Sequence, residues 1–279
     1  MAFNMQTFRT RSLTAVVFAA VMLAGLLFNY DSFFLLFSII HFGCWFEYQK
    51  LVGVIDNDYK KISLFHKYGI MLLGWSFLLL MTKHVLLAAI GKWLLIAMLV
   101  LIFIFEIIRW QPYSLKNLGY SLSGLLYISV SWMLMIRLRG TELLPLQDGR
   151  IIPIILIASI WINDTMAYIV GSLIGKTPFN SISPKKTWEG TAGGALLAIV
   201  VITAVCYFLF HLPAVYVFVI SLIAAVMGTL GDLLESKLKR MANVKDSGQV
   251  MPGHGGLLDR FDSLLLATPF VWLYLCFAL

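Results

Sequence analysis

Of the 279 residues, 60% are hydrophobic and only 13% are charged, with a formal net charge of +7. Soluble domains carry roughly 25% charged residues, so this balance, with a mean hydropathy of +0.88, excludes an ordinary water-soluble enzyme. In a soluble chain the positive charge would suggest nucleic acid. Here it fits loops facing anionic lipid, or a site for a phosphorylated substrate, and no nucleic-acid partner is expected.

Apolar runs long enough to cross a bilayer recur along the chain. In chain order, spans are expected near 12–30, 32–51, 66–82, 86–108, 117–136, 151–172, 190–210, 214–235 and 263–279. The fold expected is all-α: a polytopic integral membrane protein with about nine transmembrane helices. The first run, behind Arg9 and Arg11, has the look of a signal peptide. It lacks a small-x-small cleavage site and is expected to be retained. The second run carries His41 and Glu47, read as packing or interface residues. The sixth holds Asn163 and Asp164, and the eighth ends at Asp232. An ionisable group inside a membrane run is costly, which makes Asp164 a functional candidate. Two regions follow: 1–150, with five spans, and 151–279, with four spans and the polar loops 173–189 and 236–262. Cys44, Cys206 and Cys276 lie inside apolar runs with no CxxC spacing and read as small buried hydrophobes.

Nine spans place the two termini on opposite sides of the membrane. Of the 21 Lys and Arg, 16 then fall on the side of the N-terminus and 4 on the other, with Lys92 inside a run. The positive-inside rule puts the N-terminus in the cytoplasm, and both polar loops with it.

The segment from Glu235 to Ser263 is the densest polar stretch, with nine charged residues and four glycines. Asp232 and Ser236 are four apart, on one face if the helix continues that far; Asp259 and Asp262 are three apart. Carboxylates at two helix ends can converge on a hard cation such as Mg2+, which recruits phosphates as further ligands. Between them stand Lys237, Lys239, Arg240 and Lys245, then PGHGG, where glycines let backbone N–H groups approach an anion. Carboxylate, glycine and cation in one loop suit phosphoryl or nucleotidyl transfer, in which two anions must be brought together. In the other loop, Ser183-Pro184 reads as an N-cap with proline at the first helical position. Lys185 and Lys186 would then sit at a helix N-terminus and favour an anion. Gly190, Gly193 and Gly194 read as close helix packing.

These residues resemble the phosphatidate cytidylyltransferase (CDP-diacylglycerol synthase) family. Its signature runs through Ser236, Leu238, Lys239, Arg240, Lys245, Asp246, Gly248, Pro252, His254, Gly255, Gly256, Asp259, Arg260, Phe261 and Asp262. Met251, where Leu, Ile or Phe is usual, is the one departure. DTMAYIVGSLIGK (164–176) and SPKKTWEG (183–190) also look like family motifs, so the likeness covers about 130 residues.

The resemblance implies transfer of CMP from CTP to phosphatidate at the cytoplasmic face of a bacterial inner membrane. It implies Asp232 and Asp259 as metal ligands for Mg2+, with Asp164 and Asp262 as further members. It gives phosphate handling to Lys185, Lys186, Lys239, Arg240, Lys245 and Arg260, and places His254 at the glycine turn. Ser236, Gly255 and Gly256 would contact substrate. A second cation such as K+ and packing as a homodimer come from the resemblance alone. A cytidylyltransferase or CTP-dependent kinase for another lipid would keep many of these residues. A transporter would explain the helices, but transporters show paired halves and polar breaks near the midplane; here polar residues cluster at one face.

Overall fold

The computed structural model describes residues 5–108, 115–140, 149–180, 182–250 and 255–278, with side chains from Leu13 onward. These residues are helical and hold no named strand; a single bridge joins Pro178 and Thr187. The helices are α1 (Met5–Leu27), α2 (Tyr30–Ile55), α3 (Asn57–Lys60), α4 (Leu64–Leu80) and α5 (Val85–Ile108). Then come α6 (Leu115–Gly124), a π-helical segment (Leu125–Val130), α7 (Ser131–Gly140), α8 (Ile151–Ile174), α9 (Trp188–Phe210), α10 (Ala214–Met241) and α11 (Leu258–Ala278).

Local sequence sets several of these boundaries. Asn29 and Ser32 form a reciprocal capping box that starts α2. Ser63 caps α4 by accepting the His66 N–H. At its far end α9 stops on His211 in the left-handed region, φ 53°, two residues before Pro213.

Each expected span falls on a helix, yet they are not equal. Among the described residues six segments are long and apolar enough to cross a membrane: α5, Leu115–Gly140, α8, α9, α10 and α11. Leu13–Leu27 and Leu64–Leu80 are apolar but shorter. The 26-residue α2 carries Asp31, His41, Glu47, Gln49 and Lys50 and falls outside the six. α5 shows the lipid-facing character most plainly, since Val85, Leu86, Trp93, Phe103 and Ile108 are exposed and only Gly91 is buried.

The chain forms two compact units, each drawn from two stretches of sequence. One is Met1–Arg137 with Met241–Arg260; the other is Leu138–Arg240 with Phe261–Leu279.

In the first unit α2 is the hub, touching α1, α3, α4, α6 and the π-helical segment. Its buried face stacks Phe33 on Phe37 at 4.5 Å and Phe37 on Trp132 at 5.0 Å. His41 Nε2 and Trp45 share the hydroxyl of Ser129 at 3.0 and 2.9 Å, which fixes His41 as a buried core residue. A second polar knot joins α4, α5 and α6: His66 meets Glu106 and Ser121, both at 2.9 Å. Asp56 accepts from Asp58 N and pairs with Lys116 at 2.7 Å, a bond that holds its carboxyl below the usual range.

In the second unit α8 and α9 approach closely through small residues. A Cβ at Gly194 would lie 2.7 Å from both Ala167 and the Asn163 carbonyl, and one at Gly190 would lie 2.7 Å from the Ala167 carbonyl. The packing role read for these glycines holds. Ser159 donates to Ser221 across α8 and α10 at 3.1 Å. Cys44 and Cys206 are buried as expected. Cys276 is instead exposed, on a turn of α11 that also exposes Leu273 and Phe277, an apolar face suited to lipid.

Candidate active site

α10 runs unbroken to Met241, so residues from Asp232 to Arg240 that are three or four apart share a face. Ser236 Oγ lies 3.5 Å from Asp232 Oδ1. Glu235, three residues from Asp232 and four from Lys239, is fully buried and pairs with the Lys239 ammonium. Asp262, also buried, arrives from α11. α10 and α11 come close because Gly231 has no side chain: a Cβ there would lie 2.5 Å from the Asp262 carbonyl.

One oxygen from each of Asp232, Glu235 and Asp262 falls within a 4.8 Å group. Three carboxylates so close repel, and two lysines offset them: Lys186 pairs with Asp232, and Lys239 with Glu235. An all-oxygen, net-negative donor set is what a hard divalent cation favours, so these residues fit Mg2+. Asp164 on α8 is exposed and adds its charge near Asp262; Asn163 Nδ2 is 3.4 Å from its carboxylate.

The loop before α9 departs from expectation. Ser183 does not cap a helix. Its carbonyl accepts the Lys186 N–H at 3.1 Å, which makes 183–186 a turn with Pro184 in second place. The cap is Thr187, whose Oγ1 accepts the Gly190 N–H at 3.1 Å. Glu189 then reaches back to Thr177, taking its hydroxyl at 2.7 Å and its N–H at 3.1 Å, and takes the Lys176 N–H at 3.2 Å. Phe179 packs on Trp188 at 4.5 Å and its N–H bonds to the Lys186 carbonyl at 2.8 Å. The loop is a closed hairpin, and its turn carries Lys185 and Lys186 ahead of α9 rather than in its first helical turn.

In the first unit, Ser247 and residues 256–258 gather around two carboxylates. Asn243, at φ 53°, turns the chain out of the helix. Asp259 Oδ2 accepts from Ser247 N at 2.9 Å, Ser247 Oγ at 3.0 Å and Gly256 N at 2.7 Å. Gly255 adopts φ 84°, a conformation that disfavours any side chain. Glu47, buried on α2, accepts from Ser247 Oγ at 2.7 Å, Leu257 N at 2.9 Å and Leu258 N at 2.7 Å. Hydrogen bonds to a charged group contribute about 1.5–3 kcal/mol each, and a buried carboxylate without them is costly. The N–H of Gly256, expected to face an anionic ligand, therefore points at a carboxylate of the chain itself.

The structure thus brings Asp232 and Asp262 together and adds Glu235, while Asp259 belongs to the other unit, held by Ser247 and Gly256. Arg240, Lys245 and Arg260 are exposed. His254 lies outside the described residues. Glu235 and Glu47 were not read as site residues. The spacing of Glu235 to Asp232 could have flagged it; Glu47 stands in an apolar run and reads as a packing or interface residue, because its partners lie 200 or more residues away.

Fold and site together define an integral membrane protein of apolar helices that carries a clustered carboxylate-and-lysine centre. The chain belongs to the cytidylyltransferase family, whose defining pattern matches residues 9–278. It is similar to the phosphatidate cytidylyltransferase of Bacillus subtilis (strain 168), with 34% identity over 281 residues and 97% of each chain covered. The protein of the same name from Staphylococcus aureus (strain COL) is 35% identical over 177 residues, which is 63% of this chain and 65% of that one. The Staphylococcus haemolyticus (strain JCSC1435) phosphatidate cytidylyltransferase is 34% identical over the same shares. Kinship therefore extends through the first half of the chain, where the sequence motifs gave no sign of it.

Proposed function

We propose that this protein transfers CMP from CTP to phosphatidate, giving CDP-diacylglycerol and pyrophosphate. A phosphatidate oxygen forms the new bond to the α-phosphorus, and the bond from that phosphorus to the pyrophosphate oxygen breaks. No covalent enzyme intermediate is needed, because the lipid phosphate is itself the nucleophile. The observation that carries the reading is the 27-residue signature from Ser236 to Asp262, in a chain whose family match is nearly end to end.

Asp232, Glu235 and Asp262 would hold Mg2+, which when bound offsets the negative charge that separates the two phosphates. Lys186, paired with Asp232, and Lys239, paired with Glu235, would exchange those carboxylates for substrate phosphate. Lys185 on its turn, and Arg240, Lys245 and Arg260, supply further positive charge. Asp259 and Asp164, metal ligands by the family resemblance, and His254, Ser236, Gly255 and Gly256 enter the reading through the family motifs. A second cation such as K+ and a homodimer rest on the family resemblance.

The same reading has nine spans, with α1, α2 and α4 completing the six, the N-terminus in the cytoplasm and the site facing the cytosol, from which CTP comes. The membrane is the bacterial inner membrane, in line with the bacterial relatives. The acceptor is tested by presenting purified protein with CTP and Mg2+ plus phosphatidate, other phospholipids or polyprenols. Phosphatidate should be the lipid consumed. Preferential conversion of a polyprenol or another headgroup would overturn the assignment.

A further inference from the structure

We infer that Glu47, on α2 of the N-terminal half, is a positioning residue that ties Ser247 to Leu257 and Leu258 and, through Ser247, orients Asp259. The inference rests on the transfer reaction proposed above and adds a residue outside the signature. The Glu47 carboxylate accepts hydrogen bonds from both ends of the segment that contains PGHGG, with Ser247 on one side and Leu257 and Leu258 on the other.

Two further observations point the same way. Gly248 and Gly256 are the positions where a Cβ would run into the Glu47 carboxylate, so both glycines make room for this one side chain. The Ser247 hydroxyl lies 2.7 Å from Glu47 and 3.0 Å from Asp259, and thus links Glu47 to a signature aspartate. Asp259 Oδ2 is consumed by Ser247 and Gly256, which fixes how the carboxylate is turned. Glu47 itself is set by its helix: Tyr48 donates to the Tyr120 carbonyl at 2.8 Å and Gln49 to the Lys67 carbonyl at 3.0 Å. Groups behind a ligand that orient it commonly change activity by about 10–100-fold when removed.

The test compares Glu47→Gln, Ser247→Ala and the double variant with wild type in detergent. It reads kcat, the KM for phosphatidate, the Mg2+ dependence, and deuterium exchange at the amides of Leu257 and Leu258. Glu47→Gln keeps the size of the side chain but replaces an acceptor by a donor. The expected result is faster exchange at those amides, a kcat lower by about 10–100-fold, a higher half-saturating Mg2+ and an unchanged phosphatidate KM. Ser247→Ala should shift the same quantities less, and the double variant should be no worse than Glu47→Gln, as for residues in one chain of contacts. Unchanged exchange overturns the proposal; so does faster exchange with wild-type kcat and Mg2+ dependence, which would leave Glu47 a fold contact only. If Glu47→Gln does not fold, Ser247→Ala decides by the same readouts. A wild-type protein that makes no CDP-diacylglycerol would instead defeat the transfer reading, and the exchange data would still judge the loop.

Discussion

Asp232, Glu235 and Asp262 gain their meaning from being close together, and each can be tested by a change that nearly preserves shape. Asp232→Asn, Glu235→Gln and Asp262→Asn each remove one negative charge from the group. A neutral amide is cheaper than a carboxylate near lipid, so the variants should fold. If the group holds the cation, several kcal/mol of barrier reduction is lost and turnover should fall by about a thousand-fold. The Asp232→Asn/Asp262→Asn double variant should be little worse than either single change, as expected of residues acting as a unit. Asp246→Asn, at an exposed position, should cost less than about tenfold. Turnover measured against Mg2+ concentration checks all of these, and a near-normal rate in Asp232→Asn would sink the metal assignment. Asp232 and Asp262 were legible because an aspartate at the end of an apolar run stands out. Glu235 was hidden by its own lysine: a Glu–Lys pair four apart reads as an ordinary surface pair until burial is known. Glu47 was visible as a carboxylate in an apolar run and read as a packing or interface residue; its tie to the signature was not legible, since its partners are distant in sequence and no local pattern encodes a contact of that range.

At the scale of elements, helices read well and caps less well. The apolar runs located every long helix because burial and lipid both reward the same residues. The start of α9 was misplaced because Ser-Pro is a good cap in isolation, while Thr187 and Glu189 together satisfy more donors. Thr187→Ala should lower stability by about 1 kcal/mol, seen as a reduced melting midpoint in detergent. Glu189→Gln weakens the charge-assisted bonds to Thr177 and Lys176 that close the hairpin. Trypsin should then cut faster after Lys185 or Lys186, while the α9 core stays protected. Equal cutting in variant and wild type would show that the hairpin stands without Glu189. Gly194→Val, which forces a side chain against the Asn163 carbonyl and Ala167, should separate α8 from α9 at a cost of about 1–3 kcal/mol. A melting midpoint equal to wild type would deny that these two helices depend on that contact.

For the whole molecule, composition gave the membrane class, but the number of crossings depends on helices of uneven quality. At 17 residues α4 is about 26 Å long, short of a hydrocarbon core of ~30 Å. α2 trades apolarity for buried polar groups, among them Glu47 and His41, that serve packing and the signature loop. Such trade-offs lower hydropathy where a segment has a second task. The orientation proposed from the lysine and arginine bias is tested by Ser183→Cys in a background lacking the exposed Cys276. An impermeant thiol reagent should label it only after the membrane is opened; labelling in intact cells would reverse the topology and remove cytosolic CTP from the argument. The chemistry itself is decided by following the label. Purified protein is supplied with phosphatidate and CTP labelled at the α- or the γ-phosphorus. The account predicts that α-label appears in the lipid as CDP-diacylglycerol while γ-label leaves in pyrophosphate. Recovery of γ-label in the lipid would contradict it and make the protein a lipid kinase.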